Sequence, residues 1–183
     1  MIFPELPNRF HPNHPWPVVK SSFRWSSLGP NPLQNDSVAA SKGWNIAGAK
    51  VKVLVSSHDT GGCYTICSVE TAGSLRSPLH THSYEDISFY ILDGDYRFQI
   101  DGEAIGAPSG SWLFVPRQTP YAFWGNDPWG RFLVVAHPGG LDLFFQDVDT
   151  VAQGKMPALD KLAPVLEKHG IVVCEIPAAD DRL

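Results

Sequence analysis

The feature that most constrains this chain is the stretch from residue 44 to residue 137. It reads as short runs of β-branched and aromatic residues, broken by Gly, Pro and Asp. The expected strands are 50–56, 63–70, 78–82, 87–92, 95–101, 111–115, 120–125 and 131–137. Asp93-Gly94 lies between two such runs and marks a hairpin, because glycine accepts a positive φ; Asp101-Gly102 marks the next turn. No long helical period interrupts the stretch. Sequential strands without crossover helices must pair antiparallel, which gives an all-β barrel or jelly roll.

The flanks differ from this centre. Seven prolines fall within the first 32 residues, each denying a backbone donor to a helix or central strand. Phe3, Phe10, Trp16, Phe23 and Trp25 are interleaved with them. Residues 1–43 are therefore expected to be an irregular arm lying on the core or on a second subunit, with the barrel over 44–140. Residues 141–183 are expected to form a C-terminal extension of short helices and a last strand. LDLFFQDV at 141–148 has a short amphipathic pattern, and Leu159, Leu162, Val165 and Leu166 share one helical face. Pro157 suits that helix's start and Gly170 its end, while Pro164 should kink or split it. IVVCEI at 171–176 is the expected last strand.

At 183 residues the chain fits one barrel domain. A net charge of −5 with no Lys/Arg cluster argues against a nucleic-acid or anionic-membrane partner. No apolar run reaches the roughly 20 residues of a spanning helix, and the N-terminus lacks a charged-then-apolar leader. Cys63, Cys67 and Cys174 have no zinc spacing and are expected to be reduced, buried and structural, as in a cytoplasmic protein.

The chemistry-bearing stretch is SPLHTHSYEDISFYILDGDY, 77–96. Residues two apart on a strand face the same way, so His80 and His82 can aim both imidazoles at one point. Imidazole is a common metal ligand, yet two histidines on one strand face also make ordinary hydrogen bonds, and the pair alone does not decide between these.

The surroundings resemble the cupin superfamily. Gly73, His80-Thr-His82, a carboxylate a few residues on and Gly94 follow the order of its first motif. GSWLFVPRQTPYAFWGN, 110–126, resembles the second, through Gly110, Pro116, a polar residue at Tyr121 and Asn126. Asp59–Gly62 (DTGG), Pro116–Phe123 (PRQTPYAF), Pro138–Phe145 and His169-Gly170 are similar to segments of the single-domain quercetin 2,3-dioxygenase-like branch. The resemblance covers roughly 44–176. It implies an antiparallel cupin barrel and, in metal-binding members, three histidines and one glutamate on a divalent ion.

Two of those four positions depart from the pattern. His80 and His82 match, but Ile87 stands where the branch carries its glutamate, and Tyr121 where it carries its last histidine. Asp86 or Glu85 can supply a carboxylate instead, with Asp86 as the tentative third ligand, although strand alternation sets Asp86 opposite Ile87 and Phe89. Tyr121 can serve as a phenolate, with an ordinary pKa near 10 against it. Otherwise the site has lost its metal, and His80, His82 and Tyr121 form a cluster of proton donors and acceptors. The last is favoured, because an aliphatic residue in place of the carboxylate removes the charge that offsets a divalent cation's desolvation. No cofactor is therefore expected, with a divalent Fe, Ni, Cu, Mn or Zn ion as the alternative.

Small antiparallel barrels hold small ligands in their mouths. Expected substrate contacts are Phe89 and Phe123, together with His137, Arg97 and Gln99, whose facing the sequence leaves open. The reading that follows is a small-molecule enzyme using His80, His82 and Tyr121 for non-redox acid-base chemistry: isomerisation, dehydration or cyclisation of an aromatic or polyketide-like metabolite. A metal-dependent dioxygenase and a non-catalytic binding protein are the alternatives. A homodimer is expected, since cupin barrels commonly pair.

Overall fold

The computed structural model describes residues 43–46, 48–72, 75–152 and 159–175. Contacts divide the chain into residues 1–34 and 35–183, and every described residue belongs to the second unit. The expected arm over 1–43, Gly73 of the first motif and Pro157 lie outside the described residues, apart from Gly43 itself.

Eleven strands and two helices are described: β1 Gly43–Ile46, β2 Ala49–Val55, β3 Thr65–Ala72, β4 Leu79–His82, β5 Asp86–Asp93, β6 Asp95–Ile100, β7 Glu103–Pro108, β8 Trp112–Val115, β9 Tyr121–Gly125, β10 Trp129–His137, then α1 Leu141–Ala152, α2 Leu159–Lys168 and β11 Ile171–Glu175. They form two antiparallel sheets, one ordered β1-β2-β3-β10-β5-β8 and the other β11-β4-β9-β6-β7. Sheets of this kind, apolar on their inner faces, close over a shared core, which is the jelly-roll solution to exposed edges.

Alternation along each strand assigns the inner face. In β5 the buried residues are Ile87, Phe89 and Ile91; in β10 they include Phe132, Val134 and Ala136; in β6 they are Tyr96 and Phe98. Phe89 sits among Phe98, Phe132 and Phe123, with ring centroids 4.9, 5.6 and 6.0 Å away in tilted and edge-on contacts. The Tyr96 hydroxyl, at the far end of this stack, is 2.6 Å from that of Thr71, so its polar tip is paired inside the core. Asp101 (φ 51°) and Gly102 (φ 83°) both take positive φ in the β6–β7 turn, the conformation of a two-residue hairpin loop.

β1 and β7 were not expected from sequence. Glu103–Pro108 (EAIGAP) is mostly exposed and poor in strand formers, and it becomes a strand by pairing along the whole of β6. The second helix is not split at its proline. Residues 159–168 form one helix with Pro164 inside it, on an exposed position. The cysteines differ too: all three are free, but only Cys67 is buried, while Cys63 and Cys174 are exposed. Burial pushes the Cys67 thiol up to about 12, so it behaves as a small core hydrophobe.

The helices close one end of the barrel. Leu141, Phe144, Phe145 and Val148 of α1 and Leu162 and Leu166 of α2 turn towards its interior. Asp147 ties the two helices through Lys168 and His169, at 2.7 Å each. Asp142, buried in the first turn of α1, accepts from the Ser57 amide (3.1 Å), the Ser57 hydroxyl (3.0 Å) and the Thr65 hydroxyl (2.9 Å). No helix among the described residues is long and apolar enough to cross a membrane.

Candidate active site

β4 carries both histidines and lies between β9 and β11. A single residue pair, His80 with Tyr121, joins it to β9; four pairs, from Ile171–His82 to Glu175–Leu79, join it to β11. Cross-strand partners face the same way, so the pairing that sets β4 against β9 also stacks the Tyr121 ring on His80, with centroids 4.3 Å apart. His82 and Tyr121 are each only 4% exposed. The three rings open on a cavity of about 220 Å³. Its walls are otherwise almost wholly apolar, with Phe89, Phe123 and Phe132 from the barrel and Phe144 and Phe145 from α1.

Hydrogen bonds fix the protons. His80 Nδ1 is 2.7 Å from the Pro78 carbonyl, which can only accept, so Nδ1 carries the hydrogen and Nε2 keeps a lone pair. Nε2 has no hydrogen-bond partner among the described residues, and His80 lines the cavity. Burial, and secondarily the neighbouring His82, pushes His80 down to about 4, so it stays neutral at ordinary pH.

His82 is held at both nitrogens. Nδ1 donates to Glu85 Oε2 at 2.9 Å, and Nε2 accepts from the Tyr121 hydroxyl at 3.2 Å. A carboxylate behind Nδ1 fixes the tautomer and makes Nε2 the basic atom. Burial and the Glu85 charge raise the Tyr121 phenol well above its usual range, so it is a neutral hydroxyl. Glu85, 6% exposed, is the residue whose part the sequence did not disclose. It sits in the turn between β4 and β5, where no strand period assigns a face; the His82-x-x-Glu85 spacing was its one signal.

Phe89 and Phe123 line the cavity, while the other expected substrate contacts are placed elsewhere. Arg97 and Gln99 alternate with the buried Tyr96 and Phe98 and lie on the outer face of β6. His137 is exposed at the end of β10, out of phase with Phe132, Val134 and Ala136, and its Nδ1 donates to the Cys63 carbonyl at 2.6 Å.

The divalent metal implied by the family resemblance does not fit the donors present. Asp86, the tentative third ligand, lies on the opposite face of β5, where Arg117 Nε (3.1 Å) and Nη2 (2.9 Å) hold its carboxylate below the usual range. Ile87, at the carboxylate position, is 1% exposed in the core. Glu85 is engaged behind His82, and Tyr121 is a neutral phenol. Among the described residues no three His, Cys, Asp or Glu side chains converge as a ligand set.

Comparison with known proteins agrees with the architecture. A family model of the Cupin domain matches residues 69–135. Over 103 residues the chain is 25% identical to quercetin 2,3-dioxygenase of Bacillus subtilis (strain 168), covering 56% of this chain and 31% of that protein. The chain thus spans about a third of that relative's length. A crystal structure of an RmlC-like cupin from Shewanella frigidimarina is 17% identical with a TM-score of 0.50, over 57% of this chain and 90% of the other. The polyketide cyclase RemF from Streptomyces resistomycificus is 24% identical with a TM-score of 0.46, over 55% and 75%. The Cupin domain match over residues 69–135 and the two-sheet antiparallel barrel around it give this chain the cupin fold.

Proposed function

We propose that this cupin is an enzyme of non-redox acid-base chemistry, moving a proton next to a carbonyl of a small aromatic or polyketide-like molecule. The observation that carries the reading is the Glu85–His82–Tyr121 hydrogen-bonded chain ending on an apolar cavity. A buried carboxylate, imidazole and phenol in series hold a proton in two arrangements. With His82 neutral, its Nε2 is the base. Once Nε2 takes a substrate C–H proton, the imidazolium donates on both sides, to Glu85 and to the Tyr121 oxygen. The phenol's own hydrogen is then free to donate to the developing enolate oxygen. Return of the proton to a different carbon gives isomerisation; loss of a hydroxide from the enolate gives dehydration; attack of the enolate carbon on a second carbonyl gives cyclisation.

On this reading the two histidines have different parts. His80, pushed down to about 4, is a weak base and a hydrogen-bond acceptor; His82, with Glu85 behind it, is the base of this reading. The test is exchange of α-hydrogens for deuterium in hydroxylated 1-tetralones, followed by NMR in D2O. Exchange above buffer that falls about 100-fold or more in His82→Gln, the size of a general-base contribution, is expected. No exchange with wild type, or undiminished exchange in a folded His82→Gln variant, refutes the reading.

A further inference from the structure

We propose that the cavity selects an uncharged ligand of one or two rings that presents a hydroxyl hydrogen, a phenol or enol, to Nε2 of His80. This rests on the same site as the acid-base reading and names the kind of molecule that site takes.

Three observations lead there. The first is the polarity of the atoms that face the ligand. Pro78 fixes the His80 tautomer, so Nε2 can only accept; Tyr121 spends its hydrogen on His82, so in the resting protein its oxygen also accepts. The two rings are 4.3 Å apart by centroid, so these lone pairs belong to one patch of wall. A molecule that brings only acceptors, such as an ether, sets lone pairs against lone pairs, whereas an O–H satisfies the patch. A site built around a hydrogen bond to a hydroxyl discriminates strongly against the analogue that lacks it, because its own buried polar atom is left unpaired.

The second observation is charge. Arg76 lies at the cavity wall, but its guanidinium is 5.4 Å from the centre of the Trp124 ring, and the two residues pair through their backbones. Trp124 neighbours the inward Phe123 on β9 and does not line the cavity, so the cation is turned to the outer face. The fixed charge behind the histidine wall is the Glu85 carboxylate, which disfavours an anion.

The third is size. An apolar cavity of about 150 Å³ holds benzene. One of about 220 Å³ has room for two fused rings, or for one ring with short substituents. Phe89, Phe123 and Phe132 give it flat walls for such a ring system.

The experiment compares 2-naphthol with 2-methoxynaphthalene and naphthalene by calorimetric titration of the full-length wild-type protein at pH 7.5. These probes share one ring system and differ in the O–H. Naphthol binding at least tenfold tighter than both others, with the preference erased in His80→Leu, is the expected result. Equal affinities, no binding of any of the three, or a preference that survives in His80→Leu overturns the proposal. The wild-type comparison needs no variant, so poor folding of His80→Leu does not remove the test. The outcome is also separable from the acid-base reading. Equal affinities beside His82-dependent exchange overturn the ligand class alone, and a clear naphthol preference without exchange overturns the chemistry alone.

Discussion

Acidification should destabilise this protein through His80, and the size of the effect follows from its surroundings. In the unfolded chain an imidazole titrates near 6.5; in the fold, burial and His82 push His80 down to about 4. As pH falls through 6.5 the unfolded state takes up a proton that the folded state refuses. The stabilisation is complete above about 6.5, is lost progressively towards 4, and levels off below that. Between pH 7.5 and 4.5 the linkage comes to about 2.5 kcal/mol from this one residue. His80→Asn isolates it. Asparagine retains an N–H for the Pro78 carbonyl but has no titrating group, so its stability should fall less over the same interval, by about 2.5 kcal/mol. Urea unfolding followed by tryptophan fluorescence at pH 7.5, 6.0 and 4.5 measures both proteins. Carboxylates such as Asp86 and Asp147 titrate alike in the two and cancel in the difference. Parallel pH dependences, agreeing within about 0.5 kcal/mol, would mean that His80 is not held neutral by the fold, and the reasoning about its lone pair would go with it.

Glu85→Gln should leave the fold intact but slow α-exchange about 10–100-fold, because an amide no longer orients and supports the His82 ring as a carboxylate does; an unchanged rate removes Glu85 from the relay. Asp142→Ala strips three hydrogen bonds from the join between α1 and the barrel and should cost about 2–4 kcal/mol in urea unfolding; a loss below about 1 kcal/mol contradicts its structural role. Gly130→Ala places a methyl on the Tyr96 hydroxyl and should destabilise by about 2 kcal/mol, with Tyr96→Phe in the same background recovering part of the loss; additive losses in that cycle refute the steric account.

How far the sequence reaches depends on what each residue's neighbours are. Strands such as β5 and β10 were legible because a buried face repeats every second residue, and a DISFYILD or RFLVVAH run shows that repeat without help. Alternation, however, yields two faces and not their direction. That is why Arg97, Gln99 and His137 stayed open until Phe98 and Ala136 were seen to point inward. β7 was illegible because its strand state comes from β6 rather than from its own side chains. In the site, the histidine pair and Tyr121 were visible from spacing and motif. The proton order was not, because it depends on Pro78 and Glu85, two residues outside the strand period whose effect is a matter of ångströms. The exposed cysteines were misjudged for the opposite reason: residue type predicts burial only on average, and Cys63 sits in the loop before β3.

One feature of the sheet bears on how this protein comes into being. The histidine strand β4 hangs on β9 by a single pair and on β11 by four, and β11 follows it by some 90 residues. During synthesis His80 and His82 leave the ribosome well before the strand that pairs with theirs along most of its length. The outer edge of the histidine strand is paired only when residues 171–175 arrive, so a measurement on a chain shortened from that side reads a barrel whose histidine strand lacks that neighbour.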